Sequence, residues 1–530
     1  MITRRGRSLA SRERLFAAGA VAVTVAILRL SSAGQPPARF CWPFCGRSTP
    51  YEPPCDTRRE DRDAVRAAVI KYLIDSGEWE AAYSGVGRFI RDVDPQGSSM
   101  AYDFSGSPIG PLAFEPSIEP TYQMPSTLDA MLYVYCNPAA PGPAYWGSTQ
   151  YLVRFARPWL WPASSWLTLP VPGLAEPNVE MADSLNQLTL GSTAPAGLPI
   201  WGYSSAIITT PDRTSAASLA DALAAAGWPP RAVSVQVLPS LLDRRMSFGL
   251  GSGASVFATG FRERAWANAE AKQPYIEYRE PVLFLRANPG RSAPAAPFST
   301  PERRSRGGVE GVDEHWLSPA LEELRRAVVA RAEEHGYRFV GTSTMEPNPI
   351  MNTSNCLDAF GAQPQFTCAQ GSQDIAYAST PSLKGRGDSA ASLAFGAMDV
   401  VIGAIHTRTG LAAYASVGFI DSNADTATLS GTARAWAPAA ALPGVDQLFV
   451  LRVTDSCDAD GWAPAPAHCL SHAMWGPGYM LVERAVLQPA TRTGPAWRDL
   501  LPAAVLQFEA EAAHLGDAIG AALDGRPPSQ

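Results

Sequence analysis

Lysine is nearly missing from this chain of 530 residues: Lys71, Lys272 and Lys384 are three among 43 basic residues. So few amines argue against a Schiff-base or lysine-nucleophile enzyme. Histidine is also sparse, at six, which limits imidazole-rich metal centres. Familiar catalytic signatures are absent: there is no G-x-S-x-G elbow, Walker loop, H-E-x-x-H or C-x-x-C-H. Gly249-Leu250-Gly251-Ser252-Gly253 is glycine-rich, but it lacks the dinucleotide spacing and precedes an expected strand. No basic stripe with interleaved aromatics is present, so nucleic acid is not expected as a partner.

What is present is apolar and irregular. Hydrophobic residues make up 46%, too many for a disordered chain, and 47 Pro with 44 Gly promise many non-repetitive connections. The bias to Ala, Arg and Pro is that of a GC-rich genome, and no function is read from it. The length allows two to four domains.

Residues 1–33 read as a secretory leader or an N-terminal membrane anchor. An Arg-rich start precedes the uncharged run Leu15–Leu28, then Ser31, Ser32 and Ala33. The apolar run has 14 residues where a spanning helix wants about 20, so cleavage is favoured over anchoring. Thr3-Arg4-Arg5 resembles a twin-arginine signal, with Arg7 where an apolar residue belongs. The leader carries a net charge of +5. Its loss takes the chain from −7 to −12.

Eight cysteines behind a leader read as disulfides in a periplasmic or extracellular protein. Cys356–Cys368 and Cys457–Cys469 share one spacing and are expected as closed loops. Cys41, Cys45, Cys55 and Cys136 then have three possible connectivities, of which we favour Cys45–Cys55 with Cys41–Cys136.

Periodicity predicts an α+β fold. Residues 34–200 form a loop-rich region pinned by cysteines, with a helix over 56–76 and short strands at 132–135, 151–155 and 185–190. Residues 201–286 follow the order β-α-β-β-α-β: strand 206–210, helix 214–226, strands 233–238 and 255–260, helix 261–272 and strand 281–286. That order predicts a ferredoxin-like split βαβ unit. Residues 287–311 have the composition of a linker. Residues 312–530 form a β-rich part. Ser318-Pro319 opens a helix there, with Ser318 as cap and a Glu322–Arg326 pair. A strand follows at 338–342. Strands 398–406 and 411–420 flank a Gly-containing turn and predict a hairpin. Strands 448–453 and 479–486 follow, and Val505, Phe508, Ala512, Leu515 and Ile519 predict a final helix. No internal repeat is visible.

The densest polar cluster lies between Asn352 and Asp388. Asp374 precedes one expected strand and His406 ends another, so the two could form a catalytic base and its orienting partner. His406, Cys469 and His472 offer a copper site, given the Cys-x2-His-x-Met pattern at 469–474, provided that Cys469 is not in a disulfide. Asp455, Asp458 and Asp460, and Asp421, Asn423 and Asp425, resemble calcium loops but lack the twelfth-position Glu. Arg386-Gly387-Asp388 is an adhesion tripeptide of the kind chance supplies.

Together these features predict an exported, disulfide-stabilised binding or structural protein of unknown small-molecule or protein ligand. No cofactor is implied, and contact with a membrane is expected only through an uncleaved leader. An exported hydrolase at Asp374 and His406 is the alternative, and a copper-binding redox protein the second.

Overall fold

The computed structural model describes residues 53–87, 97–101, 121–154, 179–181, 184–239, 246–250, 253–278, 280–298, 306, 308–347, 372–380, 398–419, 426–428, 433–436, 443–454, 457, 468–471 and 481–510. The leader, Cys41, Cys45, Cys356, Cys368, His472, the adhesion tripeptide and most of both calcium-like loops lie outside these residues.

The fold mixes helices and sheets. Its first half holds α1 (Arg59–Asp75), β1 (Trp79–Gly87), β2 (Gly97–Ala101), β3 (Thr121–Tyr122), β4 (Ala130–Cys136), β5 (Pro143–Arg154), β6 (Val179–Glu180), β7 (Leu185–Asn186) and β8 (Ser204–Thr210). Then come α2 (Arg213–Ala225), β9 (Val233–Val237), β10 (Val256–Trp266), α3 (Ala269–Glu277) and β11 (Glu280–Ala287). The second half holds α4 (Ser318–Glu334), β12 (Tyr337–Thr344), β13 (Glu346–Pro347), β14 (Ile375–Ser379), β15 (Met398–Ala404), α5 (His406–Thr409) and β16 (Tyr414–Phe419). It ends with β17 (Thr426–Thr428), α6 (Ala433–Trp436), β18 (Leu448–Thr454), β19 (His468–Ser471), β20 (Leu481–Val486) and β21 (Ala504–Ala510).

The two halves repeat one topology. An outer sheet in the first runs β1-β11-β4-β8-β9, and an outer sheet in the second runs β12-β21-β15-β18-β19. Taken in chain order these correspond strand for strand. Each has antiparallel neighbours until its last pair, β8·β9 or β18·β19, which is parallel. Four strands of each inner sheet correspond too: β2-β10-β5-β6 matches β14-β20-β16-β17, and β10 and β20 each bond the strands on both sides; the short β3 and β7 in the first half and β13 in the second lie outside this match. Residue identities conceal this repeat; pairing order and parallel edge reveal it.

Layering explains the patterning. In the first half, Val69, Leu73, Leu219 and Leu223 of α1 and α2 cover one face of the outer sheet at Leu132, Val134 and Ile208. Its other face (Met131, Tyr133, Tyr135) packs on Trp146, Phe257 and Phe261 of the inner sheet. The central outer strands β4 and β8 are thus buried on both faces, whereas the edge strand β9 alternates. In the second half α4 uses Leu324 and Val328 against Val400, Ile402 and Val450. Val401, Leu451 and Val505 face Val417 and Leu481 of the inner sheet.

The structure departs from the sequence pattern in several places. The β-α-β-β-α-β order over 204–287 is present, but β8, β9 and β11 join the outer sheet while β10 joins the inner one. No ferredoxin-like sheet forms, because β4 stands between β8 and β11. Strands from 79–154 and 204–287 interleave in both sheets. Residues 261–266 continue β10, and the helix begins only at Ala269, where Asn268 accepts a hydrogen bond from the Glu270 amide. Strands β15 and β16 are not a hairpin. The chain leaves the outer sheet after β15, makes the single turn α5, and enters the inner sheet. Residues 504–510 are strand β21, not helix. Ser318 is the first helical residue and its hydroxyl donates to the His315 carbonyl. The exposed pairs on α4 are Glu322–Arg325 and Glu323–Arg326. The start of the expected linker is docked: the Phe298 amide bonds the Pro211 carbonyl, and Arg291 bonds Asp212 at 2.9 Å.

Candidate functional site

His406 opens α5 and is fully buried. Its Nδ1 lies 2.8 and 2.9 Å from the two carboxylate oxygens of Glu314, and its Nε2 lies 3.1 Å from Glu483. Both glutamates are fully buried. Thr409 Oγ1 and the Leu501 amide also donate to Glu314. Burial alone would strip the proton from His406, but Glu314, then Glu483, outweigh it and push its pKa up to about 10. Against the opposing effect of burial, the same contact lowers the pKa of Glu314. The group is therefore an imidazolium donating from both nitrogens. It bolts together the entry to α4, the end of β15 and the inner strand β20.

Asp374 precedes β14 and is fully buried. It accepts hydrogen bonds from Tyr145 at 3.2 Å and Asn186 at 2.9 Å, both in the first half. Around it the halves are stitched further. Ser184 and Ser372 hydroxyls meet at 2.8 Å, and Glu180 accepts from the Gln373 amide at 3.1 Å. Arg306 donates to the carbonyls of Ser372 and Ile375.

Asp374 and His406 do not meet. Glu483, the inner-sheet partner of His406, pairs with Ala378. Ala378 is four residues from Asp374, or roughly 14 Å along a strand at ~3.4 Å per residue. Cys469 is joined to Cys457, with Cα atoms 5.7 Å apart, so its sulfur is not the free thiolate that a copper site at His406, Cys469 and His472 requires.

A third cluster escaped sequence reasoning. The two inner sheets face each other through Tyr145 and Ala265 of the first half and Ile375, Tyr377, Tyr414, Val482 and Val486 of the second. Into this seam β10 brings Arg262 and Arg264, two residues apart and so on one face. From the other side β20 brings Arg484, flanked across its ladders by Tyr377 and Ser416. Arg262 reaches the Tyr377 hydroxyl at 3.5 Å and lies over the Tyr151 ring at 5.5 Å. The Nη1 atoms of Arg264 and Arg484, the Tyr414 hydroxyl and the Ser416 hydroxyl are all buried without a hydrogen-bond partner. Burial, with the positive charges of Arg264 and Arg262, lowers the pKa of Arg484 despite Tyr377 and Tyr414. The only signal in the sequence is two Arg in one largely apolar strand and one in another, which alternation alone cannot aim at one another.

Comparison with family models, with curated proteins and with solved structures finds no match for this chain.

Proposed function

We propose that this is an exported binding protein whose two repeats hold an oxyanion-bearing small molecule in the seam between their inner sheets. The carrying observation is the set of four unpartnered groups at Arg264, Arg484, Tyr414 and Ser416. Each buried polar group without a partner costs about 1–3 kcal/mol, more when charged. An oxyanion supplies acceptors to all four and a charge of the needed sign. Guanidinium forks match phosphate, sulfate and carboxylate oxygens in pairs. Among the described residues no carboxylate pairs with Arg264 or Arg484.

Export rests on the leader pattern, with the bonded Cys457 and Cys469 in support. No helix of the described residues is long and apolar enough to cross a membrane. The hydrolase reading draws less support, since Asp374 and His406 are separated and each is engaged by buried partners.

The test is thermal denaturation in rising inorganic phosphate or sulfate at constant ionic strength. A specific site raises the melting temperature with the logarithm of ligand concentration. Arg484→Met abolishes the response. Equal shifts in wild type and variant, or none in either, overturn the reading.

A further inference from the structure

Cys136 ends β4, buried, and its cross-strand partner on β8 is Ser204. Cys55 lies in the strap leading into α1, half-buried, with its sulfur 3.0 Å from the Ser204 hydroxyl. The Cys136 sulfur lies 3.7 and 3.9 Å from the carbonyls of Pro53 and Pro54, the residues just before Cys55. Neither thiol is in a disulfide, and each sulfur lies against the residues that carry or border the other: Ser204, which faces Cys136 across the ladder, and Pro54, which precedes Cys55. The strap is held in register by Asp56, whose amide bonds the Gly202 carbonyl at 3.0 Å and whose carboxylate accepts from the Ser204 amide at 3.0 Å.

We propose that Cys55 and Cys136 close a disulfide that clamps the strap to the end of β4, with Cys55 as the attacking thiol and Cys136 as the resolving one. This pairing replaces the expected Cys45–Cys55 and Cys41–Cys136.

Their surroundings set the order of attack. Cys136 as hydrogen-bond partner lowers the pKa of Cys55, as do Ser204 and the Arg62 cation, against the effect of burial. Burial first, then the neighbouring Cys55, raises that of Cys136. Thiolate and access both favour Cys55. The oxidant is a small or protein disulfide of the thiol–disulfide exchange class. The Cys55 thiolate attacks one of its sulfurs, its S–S bond breaks, and the departing thiolate takes up a proton. Cys136 then gives up its proton and attacks the Cys55 sulfur, expelling the second carrier thiol. Two protein thiols are oxidised and one carrier disulfide becomes two thiols.

Peptide mapping without reductant, on full-length protein alkylated as it is recovered from its export compartment, tests the pairing. The expected result is one species linking the Cys55 and Cys136 peptides. A Cys55 peptide linked to Cys41 or Cys45 overturns the proposal, as does alkylation of both thiols after equilibration with glutathione disulfide. For the order, reduced Cys136→Ser and Cys55→Ser proteins are mixed with glutathione disulfide and the adducts are located by mapping. Cys136→Ser should gain one glutathione on Cys55 at least tenfold faster than Cys55→Ser gains one on Cys136. Equal rates, or the reverse, overturn the assigned roles. The wild-type map does not depend on either variant folding.

Discussion

His406→Gln tests the buried imidazolium most directly. The substitution roughly keeps size and one donor but removes the positive charge between Glu314 and Glu483, both fully buried. Removing one partner of a buried ion group costs about 3–5 kcal/mol, because the remaining charges are left uncompensated. The pH dependence is the sharper signature. The pKa of His406 is about 10 when folded, against an ordinary 6.5. Its contribution is therefore complete below pH ~6.5 and is lost as pH rises through ~10, at about 1.4 kcal/mol per unit. Glu314, whose pKa is lowered, contributes above its ordinary 4.5 and loses that contribution as pH falls through its lowered value. The group as a whole stabilises most between roughly pH 5 and 6. Guanidinium melts of wild type and variant across pH 6–9 are the assay. The difference should be about 4 kcal/mol near pH 6 and shrink to about 1 near pH 9. A difference that does not change with pH, or one below about 1 kcal/mol at pH 6, refutes the charged bridge. If the Gln variant does not fold, Glu483→Gln provides the second reading: with Glu314 alone holding the proton, the alkaline midpoint of unfolding should move down.

Arg484→Met should raise stability in phosphate-free buffer by about 1 kcal/mol, since it removes a buried, unpaired charge, while erasing the phosphate response; a lower melting temperature without phosphate would show that the guanidinium already has a partner. Glu280→Gln should cost about 3–5 kcal/mol, because Glu280 holds Arg62 at 2.7 Å and Arg66 at 2.8 Å, all three buried; a chemical melt reads it. Cys457→Ser, which opens a loop spanning 12 residues, should cost about 3 kcal/mol in a denaturant titration run without reductant. Asp374→Asn keeps only one carboxylate-like acceptor for Tyr145 and Asn186, and should lose about 1–3 kcal/mol by the same measurement.

Local elements were legible where pattern and propensity agreed. Helix α2 was foreseen to within a residue at each end, because an Ala/Leu run is closed by Gly227 and Pro229. Apolar runs mark β8 and β11, and alternation marks β9. Partner choice was not legible. The run 398–420 has two apolar strands and a Gly-containing turn, yet α5 sends them to different sheets, since a strand pattern specifies which face is buried and not against what. Val505 and Phe508 fit a helical stripe and a doubly buried strand equally well. The repeat was invisible because burial class, not residue identity, is what the shared topology preserves.

The candidate sites divide in the same way. Asp374 and His406 stood out in the sequence as polar groups beside apolar strands, and both proved fully buried. Their partners Tyr145, Asn186, Glu314 and Glu483 lie between 77 and 229 residues away. By itself the sequence determined the α+β composition, the ends of several helices and strands, and the matched spacing of Cys457 and Cys469, all of which depend on near neighbours. Tertiary structure alone decided the duplicated topology, the bolt around His406, the arginine seam and the meeting of Cys55 with Cys136. Those depend on which sheet faces are pressed together, and that is settled by burying apolar surface across the whole chain.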